Sequence, residues 1–390
     1  MRDTFLDYNR PDVTDREVEA VVEAVRSYWI TRGPRVGRFE QALATYIGQP
    51  NLVVVNSCTA ALHLALVAAG IGPGDEVITT PLTFAASVNV ILHVGATPVL
   101  ADVHRDTGLL DVEAVRAAIT PRTRAVIPVD YAGFAVDLDA FSALCQEHEL
   151  TMVEDAAHAI ATRYKGRLIG SDPHFAAFSF YATKNLATGE GGALACPTPA
   201  LQDKVRLLSS HGMTKTAWNR YTEAGSWYYE IQEPGYKYNM TDLQAALGLV
   251  QLERLEQLQR RRAEIAGAFN EAFANDPAFK PPVTPPHVDP AWHIYPLRIR
   301  SEALTINRDQ FFEELKAQKI GCSVHFIPIH FHPYYHDRFG WPEGSMPHAE
   351  AYFREEISLP LYPGMSDADV ADVIEAVTGV ADAHRRPLRS

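Results

Sequence analysis

Lys184 stands between the apolar run Phe178-Ser179-Phe180 and the glycine-rich run Gly189-Glu190-Gly191-Gly192. A lysine that closes a buried strand is partly desolvated, and desolvation disfavours its charged form. The position therefore suits a neutral amine that attacks a carbonyl, which is Schiff-base chemistry. A lysine closing an exposed strand would be an ordinary solvated side chain, and most lysines are exposed. The assignment depends on what else the sequence places beside it.

The aldehyde that enzymes most often keep on such a lysine is pyridoxal phosphate. It needs an acid for its pyridine nitrogen, a cradle for its phosphate and a flat group against its ring. The run Leu150-Thr151-Met152-Val153-Glu154-Asp155 ends in two carboxylates, which puts Asp155 at the carboxyl end of a strand, where open α/β sheets bind ligands. The same residue would also serve as a helix N-cap. His158 is either a polar neighbour of the cofactor's phenolic oxygen or a structural histidine. The β-branched run Val53-Val54-Val55 passes through Asn56-Ser57-Cys58-Thr59 into an alanine- and leucine-rich helix, so the free amides near Cys58 and Thr59 form an anion site. It lacks the glycines of a dinucleotide fingerprint and the Gly-Lys-Ser/Thr of a P-loop, which argues against NAD and ATP but not against a single phosphate. Phe84 heads another strand-turn-helix pattern, where it stacks on a planar cofactor or fills core. Ser179 offers a hydroxyl to the same phosphate.

The elements that must hold these residues alternate between strand and helix from about 51 to 196, with apolar runs at 51–55, 76–79, 97–101, 124–129, 150–154 and 176–180. That pattern predicts an α/β fold, a mainly parallel central sheet with helices on both faces. An early helix through Ser27 is capped by Asp12 or Thr14 and has one apolar face, Val18, Val21, Val22 and Val25. Leucines at helical spacing predict a long helix from Thr241 toward Phe273. The proline-rich stretch 280–290 reads as an extended connector, and alternation at 292–299 with a helix at 308–318 gives a smaller C-terminal α+β domain. The expected division is 1–255 for the large cofactor-binding domain, with 1–35 as an arm and helix contributing to the active site, and 256–390 for the small one.

The chain has 390 residues, 47% of them apolar, enough for a well-buried core. A formal charge of -13 argues against a partner of nucleic acid or anionic membrane. The four cysteines, Cys58, Cys145, Cys196 and Cys322, are far apart, which fits reduced thiols in a cytoplasmic protein. No run has the length to span a bilayer, and the first residues lack a signal-peptide core. His325, His330 and His332 have no companions that complete a metal site, with His330 and His332 expected on one strand face, so no metal is expected. Val103-His104-Arg105-Asp106 is a surface loop rather than a kinase catalytic loop. Arg260-Arg261-Arg262 reads as a solvated helix face, and Arg385-Arg386 as part of a frayed tail.

Six ordered segments together resemble the DegT/StrS family of sugar-nucleotide aminotransferases, over nearly the whole chain. They are Trp29-Ile30-Thr31-Arg32-Gly33-Pro34, Gly72-Pro73-Gly74-Asp75-Glu76, Glu154-Asp155-Ala156-Ala157-His158, Thr183-Lys184-Asn185 with the glycine run, Gly235-Tyr236-Lys237-Tyr238-Asn239, and Val324-His325-Phe326 through His330. The resemblance implies a pyridoxal phosphate enzyme of the aspartate-aminotransferase fold. Lys184 would hold the cofactor and move a proton, Asp155 would pair with the pyridine nitrogen, and Ser179 with the Ser57, Cys58 and Thr59 turn would bind the phosphate. Asn239 matches a residue that reaches the phosphate from the neighbouring subunit, which implies a homodimer with shared sites. His158 stands where many members have glutamine, although members acting on UDP-linked 4-keto sugars also have histidine. Lys184 disfavours the dehydratases of the family, which carry histidine there. Residues 226–236 most resemble those of members acting at C4 of UDP-linked N-acetyl sugars or pentoses, so the implied substrate is a nucleotide sugar, a UDP-4-keto sugar, with glutamate as amino donor. GDP- or dTDP-linked sugars, a free cyclitol ketone and a pyridoxal-binding regulator remain as alternatives. Trp29, Thr31, Arg32, Arg220, Lys237 and His325 are the candidate substrate-binding residues, and the four basic ones, Arg32, Arg220, Lys237 and His325, are expected to offset the acidic charge toward an anionic substrate.

Overall fold

A computed structural model describes residues 2–214 and 228–387. The helices α1 (Asp15–Arg26) and α2 (Pro34–Ile47) precede the first strand. The expected alternation follows: β1 (Leu52–Val55), α3 (Cys58–Ala68), β2 (Glu76–Thr79), α4 (Ala86–His93), β3 (Thr97–Leu100), α5 (Val112–Ala118), β4 (Thr123–Ile127), α6 (Leu138–Glu147) and β5 (Thr151–Asp155). A short hairpin, β6 (Arg163–Tyr164) and β7 (Arg167–Leu168), leads to β8 (Phe175–Ser179), β9 (Gly192–Ala195) and α7 (Pro199–Leu208).

Seven strands form the central sheet in the order β1-β9-β8-β5-β4-β2-β3. The pairs from β8 through β5, β4 and β2 to β3 are parallel, and β9 alone runs against its neighbours β1 and β8. β1, β2, β8 and β9 are buried along their whole length. Strands covered on both faces need continuous apolar runs rather than alternation, which is why they were legible as such. The parallel order brings the carboxyl ends of β5 and β8, with Asp155 and Ser179, to one side of the sheet.

A long helix, α8 (Asp242–Phe273), begins at a capping box in which the Thr241 hydroxyl accepts from the Gln244 amide and the Gln244 side chain accepts from the Thr241 amide. Beyond it lie β10 (Phe279–Lys280), β11 (Val288–Asp289), β12 (Tyr295–Ile299), α9 (Arg308–Ala317), α10 (Pro333–Phe339), α11 (Pro347–Glu355), β13 (Glu356–Leu359) and α12 (Asp367–Ala383). β10, β12 and β13 make a three-stranded antiparallel sheet. The proline-rich connector ends in β11, which pairs with β6 and so joins the hairpin β6–β7 in a separate three-stranded sheet.

The apolar face expected on α1 is present, and several other placements differ from expectation. The valine face of α1 points outward: Val18, Val22 and Val25 are exposed, whereas Glu17 and Ala24 are buried. The reason is a satisfied polar contact, since the Glu17 carboxylate accepts from Gln251 Nε2 at 2.8 Å and Arg254 Nη1 at 2.6 Å, both on α8. Arg262 is not solvated either. It is buried, and its Nη1 donates to the main-chain oxygens of Trp292, His293 and Leu361 at 3.3, 3.2 and 3.0 Å. Irregular carbonyls at the approach to β12 need a donor, and a guanidinium supplies several in one plane. His330 sits in a single 3-10 turn rather than a strand, bonded to Glu350 at 3.0 Å. Arg385 is tied to Asp276 at 2.9 and 2.6 Å, so the tail is ordered that far.

Candidate active site

A cavity of about 610 Å³ lies beyond the carboxyl ends of the parallel strands, the usual ligand position in such sheets. Ser57, Cys58, Thr59, Phe84, Asp155, His158, Ser179, Lys184 and His325 all line it. Trp29, Thr31, Arg32, Lys237 and Asn239 do not line it. Arg220 lies outside the described residues.

Lys184 closes a turn after β8, its amide donating to the Tyr181 oxygen at 2.8 Å. Burial lowers the pKa of its ammonium from 10.5 to about 8, against the opposing charges of Cys58 and Asp155. Asp155 is buried at the end of β5, and burial raises the pKa of its carboxyl. Ser87 works against that by donating to Oδ2 at 2.7 Å, and the Ala157 amide donates to Oδ1 at 3.2 Å. Because Ser87 donates to a carboxylate, the 2.8 Å contact between Thr83 and Ser87 must have Thr83 as donor. Two hydroxyls therefore align toward Asp155. Ser87 was missed by the sequence reading, since a serine one residue into a helix has no signal that separates it from a capping or solvated one.

His158 accepts the Ala132 amide on Nδ1 at 3.2 Å, and burial holds its pKa well below the ordinary histidine value. The neutral ring must then carry its proton on Nε2. Ser57 caps α3, accepting from the Ala60 amide at 3.1 Å, and the first-turn amides of that helix face the cavity with the positive end of its dipole behind them. The cap is held by β9: a Cβ on Gly192 would lie 2.6 Å from the Cys58 amide nitrogen, so only glycine lets the strand pass this close. Phe84 is 65% exposed. An aromatic ring that open on a cavity wall is not core.

His325 was expected among the basic residues that offset the acidic charge. Burial instead lowers its pKa to about 4, with the charge of Lys184 adding to the effect, so the ring is neutral at pH 7. Its amide donates to Glu356 Oε2 at 2.8 Å and its Nδ1 lies 2.8 Å from the Ser358 hydroxyl. Asn239 is buried next to β1, forming a bridge with Val55, and accepts from Lys237 Nζ at 2.6 Å. The Trp29 indole donates to the Arg32 oxygen at 3.0 Å. Arg32 keeps a buried Nη1 with no hydrogen-bond partner among the described residues.

The sequence reading also missed His293, which lines the cavity 3.5 Å from Lys184 Nζ. A histidine among the apolar residues Trp292, Ile294 and Tyr295 was the available signal. Tyr8 and Asn9 complete the wall from the N-terminal arm. Among the described residues no group of three or more His, Cys, Asp or Glu is placed to hold a metal ion, and no helix is long and apolar enough to cross a membrane.

A family model described as the DegT/DnrJ/EryC1/StrS aminotransferase family matches residues 11–378. The chain belongs to this family. The spore coat polysaccharide biosynthesis protein SpsC of Bacillus subtilis is 52% identical to this DegT/DnrJ/EryC1/StrS family chain over 380 residues, covering 97% of this chain and 98% of its own. The putative sugar aminotransferase Spr1654 of Streptococcus pneumoniae, in its PMP form, superposes with a TM-score of 0.91 at 35% identity, covering 97% of this chain and 99% of that one. PseC of Helicobacter pylori, an aminotransferase involved in the biosynthesis of pseudoaminic acid, superposes at 0.89 with 31% identity over 98% of this chain and 100% of its own.

Proposed function

We propose that this aminotransferase converts the ketone of a nucleotide-linked sugar, a UDP-4-keto sugar, to an amine, with glutamate as the amino donor. The observation that carries the reading is Lys184, an amine with a pKa near 8 in a cavity whose wall also holds a strand-end carboxylate and a helix start. A sugar substrate is supported by relatives described as sugar aminotransferases or as acting in polysaccharide and pseudoaminic acid biosynthesis. The UDP group rests on the resemblance of residues 226–236, part of which lies outside the described residues.

Pyridoxal phosphate is the cofactor. When bound it supplies a carbonyl for a lysine amine and a ring that takes up the electron pair left when a carbon–hydrogen bond breaks. The residues present fit it. Asp155, whose burial is unfavourable for an unpaired carboxylate, would gain a cationic partner in the protonated ring nitrogen. The α3 amides near Cys58 and Thr59, with the Ser57 and Ser179 hydroxyls, would hold the phosphate. His158, donating from Nε2, would face the phenolic oxygen, and Phe84 would lie against the ring. Lys184, partly neutral near pH 8, would take a proton from the substrate carbon and return one.

The active unit in this reading is a homodimer. Asn239, Trp29, Thr31, Arg32 and Lys237 lie off their own chain's cavity, as residues serving a neighbour's cavity would. The outward valines of α1 and Tyr28, which is 93% exposed, leave an uncovered apolar surface. Mixing an Asn239→Ala subunit with a Lys184→Ala subunit restores activity if sites are shared; no recovery from separately inactive parents sinks the shared site. For the substrate, 15N-glutamate is offered with UDP-, GDP- and dTDP-linked 4-keto and 3-keto sugars and with a free cyclitol ketone, and the products are read by mass. Label entering only the UDP-linked 4-keto sugar supports the assignment, and label entering only a free ketone overturns it.

A further inference from the structure

Asn185, next to the reactive lysine, is buried. Its amide nitrogen stands 2.6 Å from the main-chain oxygen of Ala291 and 3.2 Å from Gln259 Oε1. Gln259 donates its own amide nitrogen to the Pro290 oxygen at 3.0 Å, so oxygen is what it turns toward Asn185. A carbonyl oxygen only accepts. The Asn185 amide therefore has one orientation, nitrogen toward Ala291 and oxygen toward His293 Nδ1 at 3.1 Å. That oxygen requires an N–H opposite it, which puts the His293 proton on Nδ1.

His293 is itself immobilised. Its amide donates to the Ala132 oxygen at 3.0 Å, its own oxygen accepts from Arg262 at 3.2 Å, and its ring lies 4.2 Å from that of His158. Burial, reinforced by His158, Lys184 and Arg262, holds its pKa well below the ordinary value. A neutral ring with its proton on Nδ1 has a bare lone pair on Nε2, the atom 3.5 Å from Lys184 Nζ.

We infer that Asn185 and His293 are positioning residues for Lys184: Asn185 fixes the tautomer, and His293 Nε2 accepts one N–H of the free lysine amine and so orients its remaining valences toward the cavity. Arg262, by clamping the main chain of His293, belongs to the same device. The inference rests on the proposed part of Lys184 as proton carrier, but its test needs no turnover. In the cofactor-free full chain, Lys184 is acetylated with acetic anhydride from about pH 6 to about pH 11 and its peptide is quantified by mass. The wild-type midpoint is near 8. An acceptor on the amine favours its ammonium form, so His293→Leu lowers the midpoint by about one pH unit, a tenfold change in acid constant. His293→Gln, which keeps an acceptor at similar reach, returns it toward wild type. An unchanged midpoint in His293→Leu, or a Gln variant that behaves as Leu does, overturns the inference. The unaltered protein gives an independent reading: ring 15N resonances of His293 should show Nδ1 protonated and Nε2 bare, and an Nε2–H tautomer refutes the relay.

Discussion

Holding a lysine ready for carbonyl chemistry should destabilise the cofactor-free protein, and Lys184→Met measures by how much. The fall in pKa from 10.5 to about 8 corresponds to about 3 kcal/mol at about 1.4 kcal/mol per pH unit. Lys184 is only half-buried and its cavity admits solvent, so about 2 kcal/mol is the fitting size once screening is allowed for. The sign follows from proton linkage. Between about pH 8 and 10.5 the unfolded chain keeps this proton and the folded one does not, so stability rises with pH across that window. Below it both states are protonated and the full penalty is present. Methionine keeps an unbranched stem without the charge. Urea unfolding of both cofactor-free proteins, at equal protein concentration, should show the variant more stable by about 2 kcal/mol at pH 7 and by less than about half of that at pH 10. A variant less stable than wild type at pH 7, or a gain of equal size at both pH values, would refute the reasoning.

Ser87→Ala removes the shortest of the hydrogen bonds donated to Asp155 and should weaken pyridoxal phosphate retention about tenfold, read by absorbance titration of the cofactor-free protein. Gly192→Ala forces the Ser57 cap away from β9, so it should release cofactor at least as readily while leaving far-UV circular dichroism nearly unchanged; full retention would mean that the strand gives way instead. Val22→Asp places a charge in the uncovered face of α1, and sedimentation should show a shift toward monomer together with loss of activity.

The sheet was legible because doubly covered strands carry unbroken apolar runs, and the long helix because its leucines repeat over many turns. Lys184, Asp155 and the Ser57 turn were legible for a related reason: each sits where such a run stops. Residues whose significance comes from the other end of the chain were not. His293 reaches Lys184 from a segment more than a hundred residues later, and no local pattern distinguishes it from a strand histidine. Arg262 looked like one of three adjacent surface arginines, yet one helix turn separates solvent from a buried cluster of carbonyls. The valines of α1 were legible as an apolar face, but the side they turn to was not. Periodicity finds an apolar face without saying whether the chain's own core or another surface covers it.

The reversed strand β9 bears on the order in which this protein can be assembled. Among the described strands Leu52–Val55 pairs with β9, and Gly192–Ala195 is made some 140 residues later. During synthesis the Ser57 turn therefore leaves the ribosome early but has no paired strand beside it until the segment carrying Lys184 has also emerged. A nascent chain stopped short of Gly192 would hold the parallel strands β2 to β5 and leave β1 without a neighbour. The Ser57 turn and Lys184 become structured in one closing event, so the amine is not displayed before the cavity around it exists.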